Sequence, residues 1–217
     1  MIKLSATQCD SWIKYVNDVI SEEQLIETLL RKGKPNLKME LGTMFHSLIE
    51  HQDAEIPQIF NLAQINHARS LFQNGMHEAK IRVPFESSIG TIALTGVADY
   101  LTGNKVMEAK TTWGAFSIDR YLESIQWQLY LMLFGAREIE YVVFEFPALS
   151  TKFISLEDVN VELQYKEVHQ FTLQKRMIDA DMVMNTIDEL CKYIRLHGLE
   201  SEMQLNEDIS IYNILGA

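Results

Sequence analysis

The chain has 217 residues, 47% of them hydrophobic, with 10 glycines and 4 prolines; this supports one sizeable core and excludes a low-complexity or disordered chain. Its formal net charge of −11 argues against non-specific nucleic-acid binding by the surface as a whole. No apolar run approaches the roughly 18–20 residues that span a bilayer, and the start, Met1-Ile2-Lys3-Leu4, lacks a signal-peptide core, so a cytoplasmic chain without a membrane partner is expected.

Helices are expected first. Ser5 or Thr7 can cap a helix with Trp12, Ile13, Val16 and Ile20 on its apolar stripe. Ser21-Glu22-Glu23-Gln24 fits a capping box and opens a second helix through Leu25, Ile26, Leu29 and Leu30, which Gly33 and Pro35 should end. A third is expected over Leu37–Gln52 and a fourth over Pro57–Gln73. A strand over Ala79–Glu86 then leads into two β-like runs flanking Gly103-Asn104, a dipeptide that closes two-residue hairpins. An amphipathic helix is expected over Ser117–Gly135, strands over Glu140–Phe146, Lys152–Leu156 and Val161–Phe171, and a long helix over Leu173–Leu196, followed by an acidic tail containing Ile209-Ser210-Ile211-Tyr212. That order implies an α/β fold, a sheet of moderate size covered by helices. One domain over 1–217 is expected, with a helical part (1–75), a sheet core (76–172) and a C-terminal helix and tail (173–217).

Charge is uneven along the chain. Arg31, Lys32, Lys34 and Lys38 form a local basic cluster, either a solvated face or a phosphate-steering rim. From Glu200 to the end there are acidic residues and no basic one.

The stretch Thr91–Thr112 carries the sharpest chemical signal. If Gly103 and Asn104 are the loop, Thr102 pairs with Lys105 and, counting outward, Asp99 falls opposite Glu108. Opposed side chains sit roughly 4.5–5.5 Å apart at Cβ, where like charges repel. Lys110 emerges on the same face as Glu108. Ile92, Leu94, Val97, Leu101, Val106 and Met107 make the hairpin apolar on both sides, as in a covered pair. Carboxylates in such surroundings must be protonated, paired or metal-bound.

Gly42-Thr43-Met44-Phe45-His46, Gly96-Val97-Ala98-Asp99, Glu108-Ala109-Lys110 and Gln126-x-x-x-Tyr130 together resemble the PD-(D/E)XK nuclease superfamily, in its RecB-type and phage recombination exonuclease branch. The opening Leu4-Ser5-Ala6-Thr7 is similar to that branch's L-S-x-[ST] start, and the resemblance spans roughly residues 4–146. It implies a restriction-endonuclease-like core, a central mixed β-sheet flanked by helices with an N-terminal helical region. By the same resemblance Asp99, Glu108, the Ala109 carbonyl and His46 would hold Mg²⁺ or Mn²⁺. Lys110 would orient the attacking water or stabilise the transition state, and Gln126 and Tyr130 would support the site. Hard oxygen ligands suit those ions. Glu50, one turn beyond His46, could reach the same place, and either Glu78 or Glu86 might add a carboxylate. Trp113, Phe116 and Trp127 are candidates for base stacking or for core packing. Iron–sulfur members of the branch use four cysteines; Cys9 and Cys191 are too few, so no such cluster is expected.

The function expected is a Mg²⁺-dependent deoxyribonuclease, an exonuclease acting on duplex DNA ends in recombination or repair. The partners implied are DNA, a further copy of the chain in a ring-shaped oligomer, and a single-strand annealing or recombination protein. The alternatives are a structure-specific or restriction-type endonuclease with the same site, and a non-catalytic binding platform of the same fold.

Overall fold

The computed structural model describes residues 2–51, 53–73 and 75–203; the expected acidic tail lies outside them from residue 204 onward. The chain opens with a short strand, β1 (Lys3–Ser5), which sequence periodicity alone did not indicate. Ser5 ends it and begins α1 (Ala6–Val16) through a capping box with Gln8. The Gln8 amide also donates to the Leu29 carbonyl at 2.9 Å, tying α1 to α2 (Glu22–Leu29). The expected capping box of α2, Ser21 with Gln24, is present. Its end differs from expectation: Arg31, at φ 56°, turns the chain two residues before Gly33.

The other side of the fold begins with α3 (Leu37–Glu50) and α4 (Leu62–Leu71), capped by Asn36 and Asn61. Three longer strands follow, β2 (Met76–Ser87), β3 (Gly90–Thr102) and β4 (Lys105–Trp113). The expected helix over 117–135 is two pieces, α5 (Asp119–Leu122) and α6 (Gln126–Leu133). Local side-chain bonds break it. The Ser124 hydroxyl accepts the Gln126 amide at 3.2 Å, and the Trp127 indole donates to the Leu122 carbonyl at 3.3 Å, competing with helix continuation. β5 (Glu138–Phe146) matches its expected strand.

No strand forms over 152–156. The Asp158 carboxylate instead accepts the Ile154 and Ser155 amides at 3.0 and 2.8 Å and closes a short 3₁₀ turn, Leu156–Asp158. The next strand, β6, covers Glu167–Gln174 rather than 161–171, and α7 (Ala180–Leu196) starts later than expected, capped by Asp179.

Among the described residues the strands form one mixed sheet. β1 and β3 are parallel, as are β4 and β5, while β2–β3, β3–β4 and β5–β6 are antiparallel. The expected α/β sheet flanked by helices is therefore present. β5 shows why it is covered on both faces. Its Ile139, Tyr141 and Val143 belong to a core with α1, α2, α6 and α7. Val142, Phe144 and Phe146 pack into a second core with α3 and α4. Successive side chains point to opposite faces, so a strand apolar at nearly every position needs a helical layer on each side. No described helix is long and apolar enough to cross a membrane.

Candidate active site

The site forms where two strands compete for one edge of β3. β2 occupies the other edge along nearly its whole length. On the contested edge β1 pairs with Ala93–Thr95 in parallel, while β4 pairs antiparallel with Tyr100–Thr102. The hairpin register is the expected one: Thr102 faces Lys105, Leu101 faces Val106 and Tyr100 faces Met107. The ladder then stops, one residue short of Asp99 and Glu108, because β1 holds the next part of the edge and β4 must diverge towards β5.

In this opening the two carboxylates replace ladder partners. The Glu108 carboxylate accepts the Asp99 amide at 3.2 Å, and the Asp99 carboxylate accepts the Ala109 amide at 2.8 Å. The Lys110 ammonium donates to Glu108 at 2.6 Å. Glu108 is 1% exposed and the Lys110 side chain 28%, so the pair joins the buried sheet to solvent. Burial pushes the Glu108 carboxyl well above the usual range and Asp99 adds to it, against the opposing pull of Lys110. Burial pulls the Lys110 ammonium down, but Glu108 and Asp99 more than offset it and leave it well above its ordinary value. Two carboxyl groups face one ammonium in a dry place, so both can be ionised together only if a further cation joins them.

Helix α3 supplies the imidazole. His46 Nδ1 lies 3.8 Å from the Asp99 carboxylate, and burial holds the ring below its ordinary pKa against the pull of Asp99, so it is neutral and able to ligate. Gly42 lets α3 come this close: a Cβ there would meet the Thr111 hydroxyl at 2.8 Å. His46, Glu50 and Asp99 present ligand atoms that all lie within 4.8 Å of one another. With Glu108 and the Ala109 main chain beside them, the donor set is carboxylate and carbonyl oxygen plus one nitrogen. That chemistry fits Mg²⁺ or Mn²⁺.

Gln126 and Tyr130 brace the site from α6. The Gln126 amide donates to the Tyr130 hydroxyl at 3.2 Å, and that hydroxyl donates to the Val97 carbonyl at 2.9 Å, two residues from Asp99. Burial, with Glu108 close by, raises the Tyr130 phenol. Tyr141, beside Glu108 on β5, is raised in the same way.

An open cleft of about 900 Å³ gives access, lined among others by Thr7, Lys38, His46, Glu50, Glu78 and Lys110. The basic cluster is not gathered there as a unit. Lys38 lines the cleft, Lys32 is ion-paired with Glu202, Arg31 turns the chain after α2 and Lys34 is exposed. Of the two carboxylates left open on β2, Glu78 is at the cleft and Glu86 is remote, accepting the Thr91 hydroxyl at 2.8 Å. Glu78 has φ 46° at the level of Asp99, between the paired His77–Tyr100 and Ala79–Ala98, a costly conformation for glutamate. Trp113 lines the cleft and stacks on Phe146, whereas Trp127 is core and Phe116 stacks on His169 away from the site.

Tyr100 and Tyr141 had no signal in the sequence beyond strand propensity. Tyr100 follows Asp99 directly and Tyr141 is fixed by a parallel pairing that no local pattern announces.

These elements define a class: an α/β fold with a mixed sheet flanked by helices on both faces. The crystal structure of SSO0001 is similar at a TM-score of 0.52, with 13% identity over 89% of this chain and 76% of that one. An alkaline exonuclease (LHK-Exo) from Laribacter hongkongensis matches at 0.46, with 12% identity over 96% and 93% of the two chains. A phage-related exonuclease from Haemophilus somnus 129PT matches at 0.48, with 12% identity over 96% of each chain. No protein-family model matches the sequence, and neither does any curated protein.

Proposed function

We propose that this chain is a divalent-metal-dependent deoxyribonuclease that hydrolyses phosphodiester bonds at duplex DNA ends, in recombination or repair. The observation that carries this reading is the opening between β3 and β4. There Asp99 and Glu108 hold each other's strand, Lys110 is anchored on Glu108 and His46 approaches Asp99. A binding platform has no use for an acidic pair kept at the cost of burial.

Asp99, Glu108, the Ala109 carbonyl and His46 would hold the ion. A bound Mg²⁺ or Mn²⁺ would supply an activated water and neutralise charge developing on the phosphate. Lys110 keeps one fixed positive charge at the mouth of the site, where it can orient the attacking water and stabilise an oxyanion. Tyr130 and Gln126 fix the level of β3 through the Val97 carbonyl and so hold Asp99 against Glu108. Lys38 and Thr7, on the cleft wall, are placed to meet backbone phosphates. The preference for ends over internal sites rests on the motif resemblance.

The test compares end-labelled linear duplex with closed circular DNA, each with Mg²⁺ and with EDTA, for the wild type and Asp99→Asn. Cleavage of the linear substrate alone, lost in EDTA and in the variant, is expected. Cleavage of circles would turn the reading to an endonuclease. Unchanged cleavage by Asp99→Asn would remove the assignment of the site.

A further inference from the structure

Tyr100 is 1% exposed, and its hydroxyl is buried without a hydrogen-bond partner. Its ring is locked in place, stacked on Phe72 with centroids 4.5 Å apart and packed at 4.3 Å against the edge of His77. The hydroxyl therefore cannot swing away to find a partner. An unpaired buried hydroxyl is destabilising, and a phenylalanine would fill the same space without that cost. Its surroundings suggest what it is for. Tyr100 shares a core with Phe45 and Ile49 of α3, the latter next to Glu50; burial raises the phenol, and the negative charges of Glu50 and then Asp99 add to that effect. Among the described residues Glu50 has no hydrogen-bond or ion-pair partner, yet it stands within 4.8 Å of His46 and Asp99, ligand atom to ligand atom.

We propose that Glu50 is an additional cation ligand of this site, and that Tyr100 is the positioning residue which directs it by donating its buried hydroxyl to the Glu50 carboxylate when the ion is bound. Three features meet in this assignment. α3 carries His46 and Glu50 one turn apart, hence on one face. β3 carries Asp99 and Tyr100 in succession, so the ligand and the residue that orients its neighbour are set by one stretch of backbone. The orphan hydroxyl is a spare donor in the core that α3 and β3 share, and a carboxylate drawn to a cation keeps a second oxygen to accept it. Outer partners of this kind orient a ligand, and their loss typically lowers metal affinity by about 10–100-fold. The inference rests on the metal-dependent reading above and deepens it, since that reading needs neither Glu50 nor Tyr100.

Mn²⁺ binding measured by calorimetry, without DNA, tests it on the wild type, Tyr100→Phe, Glu50→Gln and the double variant. Each single substitution should weaken Mn²⁺ binding by about tenfold or more. The double variant should be no weaker than Glu50→Gln, because Tyr100 acts through Glu50. The ion-free Tyr100→Phe protein should melt at or above the wild-type temperature, because it has lost an unpaired hydroxyl. Wild-type affinity in Tyr100→Phe overturns the inference and leaves the metal-dependent reading standing. So does a double variant whose losses simply add, or an ion-free Tyr100→Phe protein that melts clearly below the wild type. Failure of the wild type to bind Mn²⁺ at all overturns both.

Discussion

Asp99 has two duties that a truncation would confuse. Its carboxylate accepts the Ala109 amide at 2.8 Å and so replaces a rung of the missing ladder; in the proposed site it also faces the ion. Asp99→Asn keeps an oxygen for that amide and removes the charge, whereas Asp99→Ala leaves the amide of a residue only 2% exposed without a partner. The alanine variant should therefore be less stable than the asparagine variant by about 1–3 kcal/mol, the cost of an unmet buried donor. Both should lose cleavage to the same background. Urea unfolding beside a single-turnover assay separates the two duties, and equal stabilities would show that the cross-strand bond contributes nothing. Lys110 allows a similar separation. Lys110→Met keeps the aliphatic stem and removes the charge, and turnover should fall by about 10²–10³-fold, as when one transition-state donor is removed. The fold should survive, because burial already favours the protonated form of Glu108, which can then stay neutral.

The position of the site depends on how α6 and α7 are held against the sheet. Gly96 sits under α6, where an added Cβ would lie 3.1 Å from Leu133, 3.3 Å from Phe134 and 3.5 Å from Tyr130. Gly96→Val should lift α6, stretch the Tyr130–Val97 bond and destabilise by about 1–3 kcal/mol, the usual cost of overpacking. Denaturant melts of that variant unchanged from wild type would show that the helix yields freely. At the far end of β3, α7 clasps the turn between β2 and β3. Asp188 accepts the Ser88 amide at 2.6 Å and pairs with Lys192 at 2.8 Å. Lys192 and then the Ser88 amide draw the Asp188 carboxyl down to about 2. Its folded value is below its unfolded one, so its contribution is present above about pH 4 and is lost as pH falls towards 2. Asp188→Asn should thus be less stable than wild type at pH 6, with the gap narrowing in unfolding titrations as pH falls from about 4 towards 2. At this scale the sequence was partly legible. Gly103-Asn104 announced the hairpin and its register, and Ser5 and Ser21 announced two helix starts. The break in the 117–135 helix was hidden because it comes from a serine and an indole bonding to nearby main chain, not from a proline or glycine. The opening between β3 and β4 was hidden because it depends on β1, three residues long, arriving from the other end of the chain.

At the scale of the whole chain, motif order alone brought together Asp99, Glu108, Lys110, His46, Gln126 and Tyr130, all of which lie around one opening. Local pattern left Glu78 and Glu86 as alternatives and did not reach Tyr100; Glu78 and Tyr100 owe their places to long-range strand pairing. Charge is the feature that most constrains behaviour at this scale. A chain of net charge −11 has little to offer a polyanion. The basic cluster contributes Lys38 to the cleft and commits Lys32 to Glu202. If an ion at Asp99, Glu108 and His46 is what neutralises the local field, then DNA binding should depend on the ion more than on surface lysines. Ca²⁺ takes the same oxygen ligands with looser geometry than Mg²⁺ and should support binding without efficient cleavage. Duplex affinity measured by anisotropy should then be at least tenfold higher in Ca²⁺ than in EDTA. Its salt dependence should be shallow, with a log–log slope of about −2 to −3, since few phosphates are neutralised by side chains. Tight binding in EDTA with a much steeper slope would mean that a basic surface elsewhere, for instance one built by several copies of the chain, carries the DNA instead. An ion-dependent, shallow response would place the main electrostatic contact with DNA in the opening between β3 and β4, so that binding and cleavage would draw on the same few charges.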